Sequence, residues 1–110
     1  MIDWDRVMAL REEVGPEDFE EVVELFLHEV DEEIEGLTSV PPGTALGEKL
    51  HFLKGSALSL GFQGFSTLCQ TGEAALASDP TSVVDTNEIL ASYAASREVF
   101  LADLPDKVAS

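Results

Sequence analysis

Apolar residues recur along this chain at helical spacing from one end to the other. Phe19, Val23, Phe26, Val30, Ile34 and Leu37 fall on one stripe, with glutamates and aspartates crowding the other side. Leu46, Leu50, Leu53, Ala57 and Leu60 repeat at 4-3-4-3 spacing. Phe65, Leu68, Cys69, Gly72 and Leu76 form a third inward set, and Ile89, Tyr93, Ser96 and Phe100 a fourth. No alternating strand pattern and no internal repeat competes. The breaks are equally clear: Gly15-Pro16, Val40-Pro41-Pro42-Gly43, Gly61 and Asp79-Pro80. Helices are therefore predicted over roughly 3–13, 16–37, 44–60, 64–78 and 85–102, with Asp3 capping the first and Gly61 closing the third. Short links between amphipathic helices favour antiparallel neighbours. The expected fold is all-α: an antiparallel up-down-up-down four-helix bundle with an additional short N-terminal helix, in one domain over residues 1–110.

Charge sharpens the picture. The chain holds 22 acidic and six basic residues, a net charge of −16. Nucleic acid and anionic membranes need a basic surface and are not expected partners. Between Gly36 and Ser78 the only charged residues are Glu48, Lys49, Lys54 and Glu73, which cancel. The excess negative charge lies entirely outside that segment, which marks the segment as a docking surface where like-charge repulsion is absent. The start of the chain has no basic region followed by an apolar run, and no apolar stretch approaches the roughly 20 residues of a membrane helix. Cys69 is the only cysteine, which excludes an internal disulfide and suits a reducing, cytoplasmic setting. On its inward face it reads as a small core residue.

The chemistry concentrates on the third helix. Against its leucine stripe, His51 points about 140° away, on the solvent side. Lys54, three residues on, shares its face and lies between it and the core edge. Gly47 and Gly55, four residues before and after, leave the space beside the imidazole empty. Each glycine costs a helix roughly 1 kcal/mol relative to alanine. Both project away from the core stripe, so clear access to the imidazole accounts for them better than close packing. An exposed imidazole can act as a nucleophile near neutral pH. A nearby ammonium can neutralise the phosphoryl group it would take up. With no phosphate-binding loop, base triad or metal cluster in the sequence, this is the equipment of a phosphoryl carrier whose activating groups come from a partner.

The run His51-Phe52-Leu53-Lys54-Gly55-Ser56-Ala57-Leu58-Ser59-Leu60-Gly61-Phe62 resembles the signature of histidine-containing phosphotransfer (HPt) domains, His-x-Leu-Lys-Gly-Ser/Ala followed by a short run to Leu-Gly. Leu68-Cys69 and Glu73 resemble the family's next helix. Asp3-Trp4 and Phe26-Leu27 extend the likeness weakly to the start. The resemblance implies a helical bundle that exchanges phosphate within a two-component His–Asp phosphorelay. His51 would be the carrier, Lys54 its charge partner and Gly55 the position kept small. It implies a receiver domain or histidine kinase as partner, with Mg2+ on the receiver and no cofactor of this chain's own, and a monomer. Some members carry Gln where Glu73 stands. A carboxylate cannot donate to a phosphoryl oxygen unless protonated, so Glu73 is expected either to accept from Lys54 or to accept from an imidazole N–H.

Other residues weigh less. Gly47, Leu58 and Gln70 are expected at the partner surface, Leu58 being seven residues beyond His51 on nearly the same face. His28 shares a face with Glu24 and Glu32, a metal-like arrangement better explained as a solvated histidine among acids. Trp4 reads as a packing anchor. The alternative function is a helical module that docks receivers or other proteins without carrying phosphate. It would not need the reactive imidazole.

Overall fold

The computed structural model describes residues 2–41 and 43–109. Pro42, within the predicted turn, lies outside the described residues, as do the two terminal residues. Among these described residues five α-helices follow one another: α1 Trp4–Val14, α2 Phe19–Glu35, α3 Thr44–Leu60, α4 Gln63–Ser78 and α5 Thr86–Ala109. A short 3-10 turn, Leu37–Ser39, sits between α2 and α3. Among the described residues there is no β-strand, only a single bridge between Ile2 and Phe62.

α3 forms as its spacing predicts. All five stripe residues are buried, Leu50 and Leu53 completely. Burying one such leucine stabilises the fold by about 1.5–3 kcal/mol. The helix ends at Gly61, whose φ of 85° is left-handed. Phe62 N–H donates to the Ala57 carbonyl at 2.8 Å and Gly61 N–H to that of Leu58 at 3.4 Å, the paired bonds of a glycine-terminated helix. Only Gly61 and Phe62 separate α3 from α4, so the chain doubles back and the two helices lie antiparallel. Gly72 brings them close: a Cβ there would stand 2.9 Å from Leu50 Cδ1.

Three boundaries differ from the sequence expectation, the first through a local turn and the other two through tertiary packing. Pro16 does not start α2. Gly15 takes φ 88° and residues 15–18 form a turn, Asp18 N–H donating to the Gly15 carbonyl, before the helix begins at Phe19. α2 ends at Glu35, and Leu37 is buried from the 3-10 turn instead. The α2 stripe is also rotated slightly: Leu27 is buried, while Phe26 and Ile34 are half-buried. α5 runs past Ala102 to Ala109 with Pro105 inside it. An internal proline costs a helix about 3 kcal/mol. Leu104 and Val108 pack against the core beyond it, and Lys107 Nζ lies 5.5 Å from the centre of the Trp4 ring.

α1 is held on the bundle at both ends of the chain. Asp3 caps it, accepting from Arg6 N–H at 3.2 Å, and donates its own N–H to the Gly61 carbonyl at 2.7 Å. Trp4 stacks on Phe100 at 5.7 Å. Across the bundle, Asp31 on α2 accepts from Tyr93 Oη at 2.6 Å and from Arg97 at 3.2 Å, tying α2 to α5.

Gly61 tests this account of the α1 contact. A Cβ there would lie 2.7 Å from the Asp3 carbonyl oxygen, a backbone atom, on a left-handed residue. Gly61→Ala should lower stability by at least about 2 kcal/mol in urea unfolding, from left-handed strain and overpacking together. A loss below about 0.5 kcal/mol, the range of inconsequential surface changes, would contradict the close approach.

Candidate functional site: His51, Lys54 and Glu73

The antiparallel α3–α4 pair brings three charged or titratable side chains together. The register that sets Gly72 against Leu50 also sets Glu73 opposite His51. His51 Nδ1 and Glu73 Oε1 are 2.9 Å apart. Lys54 Nζ stands 3.0 Å from Glu73 Oε2, an ion pair to a buried oxygen that lacks hydrogen-bond alignment. The His51 side chain is 70% exposed, whereas Lys54 and Glu73 are 19% and 24% exposed. One carboxylate thus bridges the two residues that the sequence placed side by side. Glu73 thus meets both of the side chains it was expected to choose between, the imidazole at hydrogen-bond distance and Lys54 as an ion pair.

These contacts fix the chemistry of the ring. Glu73 is held below the usual carboxylate value, first by the hydrogen bond from His51 and then by the contact with Lys54. It is therefore ionised at neutral pH and can only accept. In the neutral ring the proton must then sit on Nδ1, which leaves the lone pair on Nε2. A ring that donates from Nδ1 to a fixed carboxylate is also oriented by it.

The space around the ring is open. A Cβ at Gly47 or Gly55 would meet nothing within 4 Å beyond its chain neighbours and the adjoining backbone of its own helix. Gly47 borders an open groove of ≈ 450 Å³ in which His51 and Glu73 form part of the wall. The groove continues past Thr44 and Glu48 on α3 and Leu76 on α4 to Gly43 and Pro80 in the flanking loops. Sequence reasoning did not find these groove residues. Gly43 and Pro80 read only as turn punctuation, and nothing local shows that the two loops meet at one end of α3.

Leu58 is 56% exposed on α3, and Phe52 is 43% exposed as well. Gln70 is exposed on α4, one turn before Glu73. Cys69 is buried, and burial pushes its thiol up to about 12, with Glu73 adding to the effect. It is therefore unreactive at neutral pH. His28 meets Glu32 at 3.1 Å on an exposed face, and among the described residues no group of three His, Cys, Asp or Glu side chains is arranged to hold a metal. No helix of the described chain is long and apolar enough to cross a membrane.

Glu73 carries a direct test of the network. Its folded pKa lies below 4.5, so the stability it contributes is complete above pH 4.5 and is lost as pH falls through the folded value. An NMR titration of the Glu73 side-chain carboxyl should give a midpoint below 4.5. Replacing Lys54 with Met should move that midpoint up. A wild-type midpoint at or above 4.5 would contradict the bridging geometry.

Comparison with known proteins adds one finding. A family model described as the Hpt domain matches residues 21–108, which takes in nearly all of α2 and the whole of α3 and α4. No curated protein and no solved structure matches the chain significantly, so the family model carries the comparison alone. With the match covering well over half of the residues, and with an all-helical fold that presents an exposed histidine from α3, the chain belongs to the Hpt domain family.

Proposed function

We propose that this protein is a histidine phosphocarrier in a two-component phosphorelay, exchanging a phosphoryl group between His51 Nε2 and the aspartate of a receiver domain or a histidine kinase. The observation that carries the reading is the 2.9 Å contact from His51 Nδ1 to an ionised Glu73 on an otherwise exposed ring. In the transfer, the Nε2 lone pair attacks the phosphorus of the partner's acyl phosphate. The bond from phosphorus to the aspartyl oxygen breaks, and the aspartate leaves as a carboxylate. The ring keeps its Nδ1 proton and becomes cationic, and the Glu73 carboxylate offsets that charge. Reversal expels the neutral imidazole. Phosphoryl transfer of this kind depends on positioning and electrostatics, and the protein needs no turnover chemistry of its own.

Lys54 supplies the cation. It rests on Glu73 and lies one helical turn from His51, so a phosphoryl group on the ring competes with Glu73 for it. Mg2+ belongs to the receiver in this scheme. The same reading takes α2 to α5 as an up-down-up-down bundle with α1 added, one domain acting as a monomer in the cytoplasm. Gly47, Gly55, Leu58 and Gln70 then form the surface on which the partner docks.

The decisive assay is incubation with a phosphorylated receiver domain in the presence of Mg2+, followed by a search for acid-labile, base-stable phosphate on this chain. Wild type should take up the label. His51→Ala should remain folded, since the side chain is exposed, and take up none; full labelling of that variant would overturn the proposal. Lys54→Ala should slow transfer by roughly one to two orders of magnitude, from the loss of about 1.5–3 kcal/mol of charge-assisted contact.

Gly55 tests access separately from charge. Gly55→Leu should raise helix stability by nearly 1 kcal/mol, since its side chain enters open space. It should nevertheless block transfer by crowding the approach to His51. Normal transfer would contradict the access argument, and unfolding would mean that Gly55 is a packing glycine.

A further inference from the structure

A second groove, also of ≈ 450 Å³, opens between the first half of α2 and the end of α5, with Arg11 of α1 at its lip. Among the described residues none lines both this groove and the one beside His51. Its apolar lining includes Phe19, Val23 and Leu27 from α2 and Leu101, Leu104 and Val108 from α5. Leu101 is 42% exposed. The α2 side runs roughly 12 Å and the α5 side about 10 Å, close to two turns of helix.

The polar groups on the groove are mostly acceptors. Glu20 and Glu24, both exposed, stand along the α2 side one turn apart. Pro105 has no N–H to offer the Leu101 carbonyl four residues before it, and both residues line the groove. Among the described residues Arg11 is the only cation lining it. The surrounding sequence deepens the charge: residues 11–24 hold seven acids and one arginine. A second copy of so acidic a chain would meet like charge at this face, and an anionic amphiphile would meet the same repulsion.

From this combination we infer that the α2–α5 groove is a docking site for a basic amphipathic helix of another protein. Apolar side chains at i, i+3 or i+4, and i+7 would enter the groove, while lysines or arginines on its flanks pair with Glu20 and Glu24. Such a site leaves His51 free. A bound partner holds the carrier by one face while the other exchanges phosphate.

The probe is a synthetic helical peptide of leucine and lysine with leucines at i, i+3 and i+7, compared with a scrambled peptide of the same composition. Binding is read by fluorescence anisotropy and located by amide NMR shifts on the full chain. The amphipathic peptide should bind saturably and more tightly than the scrambled one, with shifts concentrated in residues 19–27 and 101–108. Leu101→Glu should weaken binding about tenfold, as loss of a central apolar anchor does. Glu20→Gln with Glu24→Gln should weaken it too, whereas Glu32→Gln with Glu35→Gln, an equal change of charge outside the groove, should not. The exposed Glu20 and Glu24 positions keep the test decisive if Leu101→Glu fails to fold. Equal binding of both peptides, equal loss from either glutamine pair, or shifts centred on His51 would each overturn the inference. So would self-association through this face, or preferential binding of dodecyl sulfate to it.

Discussion

A single carboxylate shared between two side chains of a neighbouring helix organises this site. Glu73 reaches His51 and Lys54 only because α4 lies close against α3 in one register. That closeness rests on the two-residue turn at Gly61 and on the missing side chain at Gly72. The buried leucines of α3, Leu50 against Gly72 among them, hold the helix on the core, so that its His51 face is left in solvent. The chain of dependence runs from a left-handed glycine, to a helix pair, to an oriented imidazole.

α3 was legible in the sequence almost residue for residue, because its stripe, its glycine terminator and its His-Lys-Gly run all act within one helix. The limits of α2 and α5 were not. Pro16 is a good first residue for a helix, yet the turn at Gly15 delays the start to Phe19. Pro105 is a good stop signal, yet Leu104, Val108 and the Lys107–Trp4 contact carry α5 through it. Glu73 shows the same limit within the site. Its position could be marked from the motif, but which partner it accepts from depends on the rotation and approach of α4. The groove beside His51 was hidden for a related reason, since its far end is built where two loops of distant sequence meet.

The uneven charge has a structural meaning. The only charged side chains on α3 and α4 are Glu48, Lys49, Lys54 and Glu73. Lys54 is spent on Glu73, and Lys49 on Glu33 of α2 at 3.2 Å. The helix pair that carries the imidazole is therefore close to neutral, while α2 and the surface around it are strongly acidic. Long-range repulsion of this kind favours one approach direction over others and is screened by salt. The two grooves differ accordingly in their surroundings, one beside an exposed imidazole and the other apolar and flanked by acids.

The central claim is that an ionised Glu73 fixes the His51 tautomer and so selects Nε2 as the nucleophile. The most direct measurement is the pair of imidazole ¹⁵N shifts of His51, taken on the neutral ring and again after phosphorylation. The account predicts a protonated, pyrrole-type Nδ1 and an unprotonated Nε2, with phosphorus coupling at Nε2 in the phosphorylated protein. A protonated Nε2 in the neutral ring, or phosphorus coupling at Nδ1, would contradict it.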